Sequence, residues 1–285
     1  MNKKILAGIG ISGAIMLGSV YSISANTSGY ELYKSALKQT HTADSATMSI
    51  KLNLKDNNKS IFSVDSLYKA DVKDQVSSIS SQLENETEKS SMNMYKQDGN
   101  RFVEKDGTDN VYKLKMNSPH HSNTSELQDD MENLIDVMTK NLQRQITVAE
   151  QKNGSHTIEL DLNGKEIPLT VNAVSTLMIK HAVMLQDNTD QESSEFHIKP
   201  TMPELEEDIT FKQIKLVADV NKENYLEQQT VQAVVSGKDK QGKTHEVSFS
   251  IKMNVTDYNQ TSVTPVKIPA EKIKELEMNL GRSGN

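Results

Sequence analysis

The 285 residues contain no cysteine. That absence excludes disulfide staples, so the fold must be held by its core alone. It also excludes a lipoprotein of the diacylglyceryl type, which needs a cysteine at its cleavage point. Tryptophan is absent too, and aromatic residues make up only 5% of the chain. With 13 methionines beside so few aromatics, the expected core is soft and adaptable. Catalytic signatures are missing as well: there is no G-x-S-x-G, no H-E-x-x-H and no glycine-rich phosphate loop. Apart from residues 5–25, no stretch is apolar enough to span a bilayer.

What is present begins with that one apolar run. Lys3 and Lys4 precede ILAGIGISGAIMLGSVYSISA, which ends in the small residue Ala25. This is the pattern of a secretory signal peptide, with an uncleaved anchor as the alternative. Residues 1–25 are therefore read as a leader, 26–270 as a single domain and 271–285 as a C-terminal tail, with the folded part secreted or otherwise extracytoplasmic. Attachment to a membrane would come only through an uncleaved leader. The formal charge is −7, and loss of Lys3 and Lys4 takes it to −9. An acidic chain argues against nucleic acid and against electrostatic binding to anionic lipid.

Behind the leader, Ser28 and Glu31 form an S-x-x-E capping box. Tyr33, Ala36, Leu37 and Thr40 follow at helical spacing. After HTADS the period drops to two: Ala46, Met48, Ile50, Leu52 and Leu54 face one way, Thr47, Ser49, Lys51 and Asn53 the other. That is a half-buried strand ending in the turn DNNK. Strands are also predicted over 62–72, around Met92 and Met94, over 101–104 and 111–116, at 146–149 and 156–162, and in three alternating runs between 214 and 255. Residues 73–93 read as an edge strand near Val76 to Ile79 or as a loop. Long amphipathic helices are predicted from Leu127 to Leu142 and from Leu169 to Leu185. Residues 186–208 read as an acidic loop, and IPAEKIKELEMNL as a short exposed helix at most. The expected class is α+β: a curved antiparallel sheet, a half-barrel, with amphipathic helices on its concave face.

Several motifs suggest chemistry and fail on inspection. Ser35-Ala36-Leu37-Lys38 matches S-x-x-K, but the nearest equivalent of the companion K-T-G is Lys243-Thr244-His245, without the glycine. His120-His121 has only poor metal ligands around it, namely Ser118, Ser122 and Asn123. Glu204, Glu206, Glu207 and Asp208 lack the spacing and glycine of a calcium loop. No catalytic residue, metal or cofactor is assigned. The methionines suggest instead a flexible apolar cavity between sheet and helices. Its candidate lining is Met131, Leu134, Met138, Leu177 and Met178, against Met48, Met92, Met94, Met116 and Met253 in strands; the alternative for each is ordinary core.

Tyr30, Tyr33, Lys34, Ala36, Leu37, Lys38 and Thr40, entering an alternating strand just past a leader, resemble the opening of the LolA/LppX-like superfamily of exported proteins. The closing SGKDKQGKTHEVSFSIKMNVTDYN is similar to the last hairpin of secreted Gram-positive members of that group. The resemblance implies a half-barrel with helices in its mouth and a cavity for lipid or acyl chains. It assigns no functional residue here. Two functions remain in view: a non-enzymatic module holding a lipid, an acyl chain or an apolar segment of an envelope partner, and a cell-surface interaction protein with a fully packed core.

Overall fold

The computed structural model describes residues 28–116, 142–169 and 202–278. They form one large curved, unclosed sheet of twelve strands with one α-helix. The helix is α1 (Gly29–His41). Then come β1 (Ser45–Asp56), β2 (Lys59–Asp71), β3 (Val76–Asn85), β4 (Lys89–Gln97), β5 (Asn100–Lys105) and β6 (Val111–Met116). After these follow β7 (Thr147–Glu150), β8 (His156–Asn163), β9 (Glu207–Val220), β10 (Leu226–Lys238), β11 (Thr244–Thr256) and β12 (Ile273–Met278). Their spatial order is 12-6-5-4-3-2-1-11-10-9-8-7. Every pairing is antiparallel except β12 on β6, which is parallel.

Local chemistry explains the meander. Asn57 and Asn58 both take positive φ between Asp56 and Lys59, the two-residue turn whose twist suits a hairpin. Asp98 and Gly99 do the same between Gln97 and Asn100. Register then aligns one apolar face across the sheet. Ile50 stands beside Met253, Gln229, Ala218 and Ile158 in successive strands, and Leu52 beside Ile251, Val231, Leu216 and Leu160. On the other side of β1, Met48 lies beside Tyr68, Ile79, Met94 and Val103. The opposite face carries mostly Ser, Thr, Asn, Gln and Lys.

Two core clusters lie along the apolar face. The first is covered by α1, where Ala36 and Leu37 pack against Met48, Ile158, Ala218, Val220, Leu226 and Met253. Burying a side chain such as Leu37 contributes about 1.5–3 kcal/mol. Ser28 caps the helix by accepting the Glu31 amide at 3.3 Å, one half of the expected capping box. The start of α1 sits directly on β7: a methyl group at Gly29 would lie 2.7 Å from Ile146 Cγ2 and 2.8 Å from Val148 Cγ2. The second cluster contains Leu52, Leu54, Phe62, Leu162, Phe211, Val235 and Ile251.

The structure departs from the pattern-based expectation in several elements. Residues 76–85, read as an edge strand or loop, are an interior strand between β2 and β4. Residues 273–278, read as part of a short exposed helix and a tail, form β12 and extend the sheet past residue 270. Strand β9 begins at Glu207, inside the expected acidic loop. The chain reaches β12 by crossing the polar face from β11: Thr261 Oγ1 bonds Thr47 Oγ1 at 2.9 Å, and Gln97 grips the Val266 backbone. The leader and the two long helices lie outside the described residues, save for Leu142 and Leu169 at their ends. Among the described residues no helix is long and apolar enough to cross a membrane.

Candidate functional site

The second core cluster is where three stretches of chain converge on the apolar face. Leu142, at the start of one described stretch, is buried there. So are Ile167, near the end of the same stretch, and Leu205, near the start of the next; Met202 packs against the cluster's edge. The described chain thus resumes at 142, ends near 169 and resumes at 202 over one patch of sheet, whereas it ends at 116 on β6, outside that patch. The half-buried Val64, Leu83, Leu160 and Ile214 border that patch. Ile167 is positioned by a short 3-10 turn, in which Asn163 and Glu166 cap each other's backbone amides.

The candidate lining residues Met131, Leu134, Met138, Leu177 and Met178 all fall in those two segments, outside the described residues. The strand methionines divide. Met48 and Met253 are 4% exposed and pack under α1, so both are ordinary core. Met92 and Met94 are half-buried on β4, on the same face as Leu83.

At the rim of this face the structure reveals a polar cluster that sequence patterns miss. His245 is the second residue of β11, on the face that Val247 and Ile251 continue, and its side chain is 7% exposed. Its Nδ1 lies 2.8 Å from Asp56 Oδ2 and its Nε2 lies 3.1 Å from Asp239 Oδ2. Burial pulls the imidazole pKa down, but the hydrogen bonds to the two carboxylates outweigh it, leaving the pKa above the ordinary histidine value. Burial also pushes the Asp239 pKa up; the His245 bond and the amides of Lys243 and Gln241 more than offset it, and the net shift is downward. Gly237 lies directly across the ladder from His245, and a methyl group there would be 3.3 Å from the Leu205 side chain. The rim cluster thus borders the anchor of residues 202–206.

A concavity lies beside the β9–β10 turn, with a volume of about 870 Å³. Tyr225 and Tyr258 stack in its wall with ring centroids 4.5 Å apart, flanked by Asp219, Glu223, Glu227 and Asp257. Burial, first of all, pushes the Tyr258 hydroxyl up to about 12, and that hydroxyl donates to the Leu226 carbonyl.

No protein-family model matches the chain, and no curated protein matches it. Among solved structures, a LolA superfamily protein from Nitrosomonas europaea is similar over 84% of this chain and 96% of that one. Identity is 9% and the TM-score 0.25. At that TM-score the functional reading rests on the chain's own geometry.

The remaining motifs lose their chemistry. Ser35 Oγ accepts a hydrogen bond from Asn224 Nδ2 at 2.6 Å and thereby joins α1 to the β9–β10 turn, while Lys38 is exposed. Lys243 and Thr244 belong to the β10–β11 hairpin. Glu204 and Glu206 are paired with Lys240, and Asp208 with Lys238. No group of three or more metal-ligating side chains occurs among the described residues. His120 and His121 lie outside them.

Proposed function

We propose that the protein is an exported, non-enzymatic binding module that holds an apolar ligand, a lipid or an acyl chain, against the apolar face of its sheet. An apolar segment of an envelope partner would occupy the same place. The carrying observation is the convergence of Leu142, Ile167 and Leu205 on one apolar cluster. It brings the end of one amphipathic segment and both ends of the other to one patch of sheet, and their methionine-rich faces would supply a deformable lining. Met131, Leu134, Met138, Leu177 and Met178 are the proposed lining of that space, closing against Leu83, Met92 and Met94. The half-barrel with helices at its mouth is the architecture this reading requires.

Native mass spectrometry of protein purified from its own host tests this. A lipid-sized adduct that organic extraction removes, together with saturable binding of a fluorescent fatty acid, is the expected result. Protein that carries no adduct and ignores the probe sinks the reading. Leu134→Arg or Met138→Arg should abolish probe binding while leaving the fold intact.

One observation favours the cell-surface interaction reading instead. Met48 and Met253 turn out to be plain core. If the second cluster is filled in the same way, recognition falls to exposed loops and edges.

A further inference from the structure

We propose that Asp56, His245 and Asp239 form a pH-sensitive latch that fastens residues 202–206 over the apolar face and releases them as pH rises. Both nitrogens of the His245 ring face carboxylate oxygens at hydrogen-bonding distance. A neutral imidazole has one N–H and can satisfy only one of them. The other carboxylate would then meet a nitrogen lone pair at about 3 Å in a nearly buried site. The closed arrangement therefore requires the imidazolium, whichever carboxylate is considered first. The charged groups facing the ring are Asp56 from β1, and Asp239 and Lys243 from the β10–β11 turn. Lys59, opposite Asp56 on β2, is engaged by Glu86.

The two carboxylates are not equally dependent on the ring. Asp239 Oδ1 also accepts the amides of Gln241 and Lys243, at 3.0 and 2.9 Å, and so shapes the turn. Asp56 Oδ1 is buried without a partner, which leaves His245 as the main support of that carboxylate. When the ring loses one proton, the shorter bond to Asp56 keeps the other. The contact with Asp239 is the one that opens.

That turn holds the cover. Lys240 at its tip reaches Glu204 at 2.9 Å and Glu206 at 3.4 Å. The Glu206 amide bonds the Lys238 carbonyl at 2.8 Å, and Leu205 lies over Gly237. Leu205 is buried in the second core cluster, so freeing Asp239 loosens the hold of residues 202–206 on that cluster. The sign follows from linkage. A histidine whose folded-state pKa is raised stabilises the closed form fully below the unfolded value, about 6.5, and loses that contribution as pH rises through the folded value. The latch is shut below about pH 6.5 and opens as pH rises through the raised folded value.

What the latch releases rests on the function proposed above, but its test does not involve binding. Delipidated protein is followed by amide hydrogen exchange between pH 5.5 and 8.5, each rate divided by its intrinsic rate. The His245 ring is titrated in parallel by NMR. Protection of residues 202–206 should fall at least tenfold, with the midpoint of the His245 titration. His245→Gln should erase the step. Lys240→Ala, which leaves the triad whole and serves if the first variant fails to fold, should keep the ring titration and erase the step at 202–206. A ring that never titrates in this range, flat exchange at 202–206 while the ring titrates, or a step that survives in His245→Gln overturns the proposal. Loss of fatty-acid binding with the exchange step intact would overturn only the lipid reading.

Discussion

Gln229 is 1% exposed, in the middle of an apolar row between Met253 and Ala218. Such a group survives in a core only if it is hydrogen-bonded. Its Oε1 accepts the Tyr33 hydroxyl of α1 at 2.6 Å. Burial drives the Tyr33 pKa upward, so the phenol remains a neutral donor. The pair fixes which turn of α1 sits over which residue of β10, a specificity that leucines alone would not supply. Gln229→Ala should therefore destabilise the protein by about 2 kcal/mol, the usual cost of a buried hydroxyl left without its acceptor. Replacing both partners, Gln229→Leu with Tyr33→Phe, should recover most of that loss. Urea unfolding of Gln229→Ala, of Gln229→Leu and Tyr33→Phe singly, and of the double variant measures it. A double variant as unstable as the sum of the singles would show that the bond contributes nothing beyond packing.

Between elements, the crossing from β11 to β12 decides how the far edge of the sheet is held. A parallel partner cannot arrive by a tight turn. Residues 257–272 make that connection across the polar face, and Gln97 clamps it through two bonds of 2.8 Å to the Val266 carbonyl and amide. Gln97→Ala should raise amide exchange in 273–278 by roughly tenfold, the effect of losing about 1–1.5 kcal/mol of local hydrogen bonding. Exchange in β1 should not change. Equal acceleration throughout the sheet would mean that the strap is part of the global core rather than a local fastening. The strap also shows where sequence patterns stop. Strands with five apolar residues on one face, such as β1, are visible from alternation, and the Asn57-Asn58 turn from its composition. β3 is not, because Ser77, Ser81 and Asn85 occupy most of its core-facing positions and only Ile79 and Leu83 are apolar. Its neighbours on both sides make it a strand by supplying backbone partners. β12 is short, and the spacing of Ile273 and Leu276 imitates a helix; only β6 makes it extended. The rim cluster is hidden for a stronger reason. His245 and Asp56 are 189 residues apart, and nothing in K-T-H marks that histidine as buried.

At the scale of the whole molecule, one apolar face is packed in two different ways. Under α1 it is sealed, with Ile158, Ala218, Val220 and Leu226 fully excluded from water. Toward β3 and β4 it is half-buried, with Ile79, Leu83, Met92 and Met94 partly open to solvent among the described residues. A sealed core and a binding surface respond to substitution in opposite ways, which separates the two functional readings. Leu162 is 1% exposed, so Leu162→Ala should cost about 2–5 kcal/mol in unfolding free energy through its cavity. It should leave fatty-acid probe affinity within about twofold, since 1.4 kcal/mol is needed for a tenfold change. Leu83 only packs against the cluster edge. Leu83→Arg can turn its charge toward solvent, so it should cost less stability and weaken the probe by more than tenfold, as should Leu134→Arg in the proposed lining. Measuring both quantities for all three variants, by urea unfolding and by fluorescence titration, places each residue on one side of the division. If Leu83→Arg instead unfolds the protein as severely as Leu162→Ala, and no probe binding exists to lose, the face is closed core throughout. Recognition would then belong to the loops and edges.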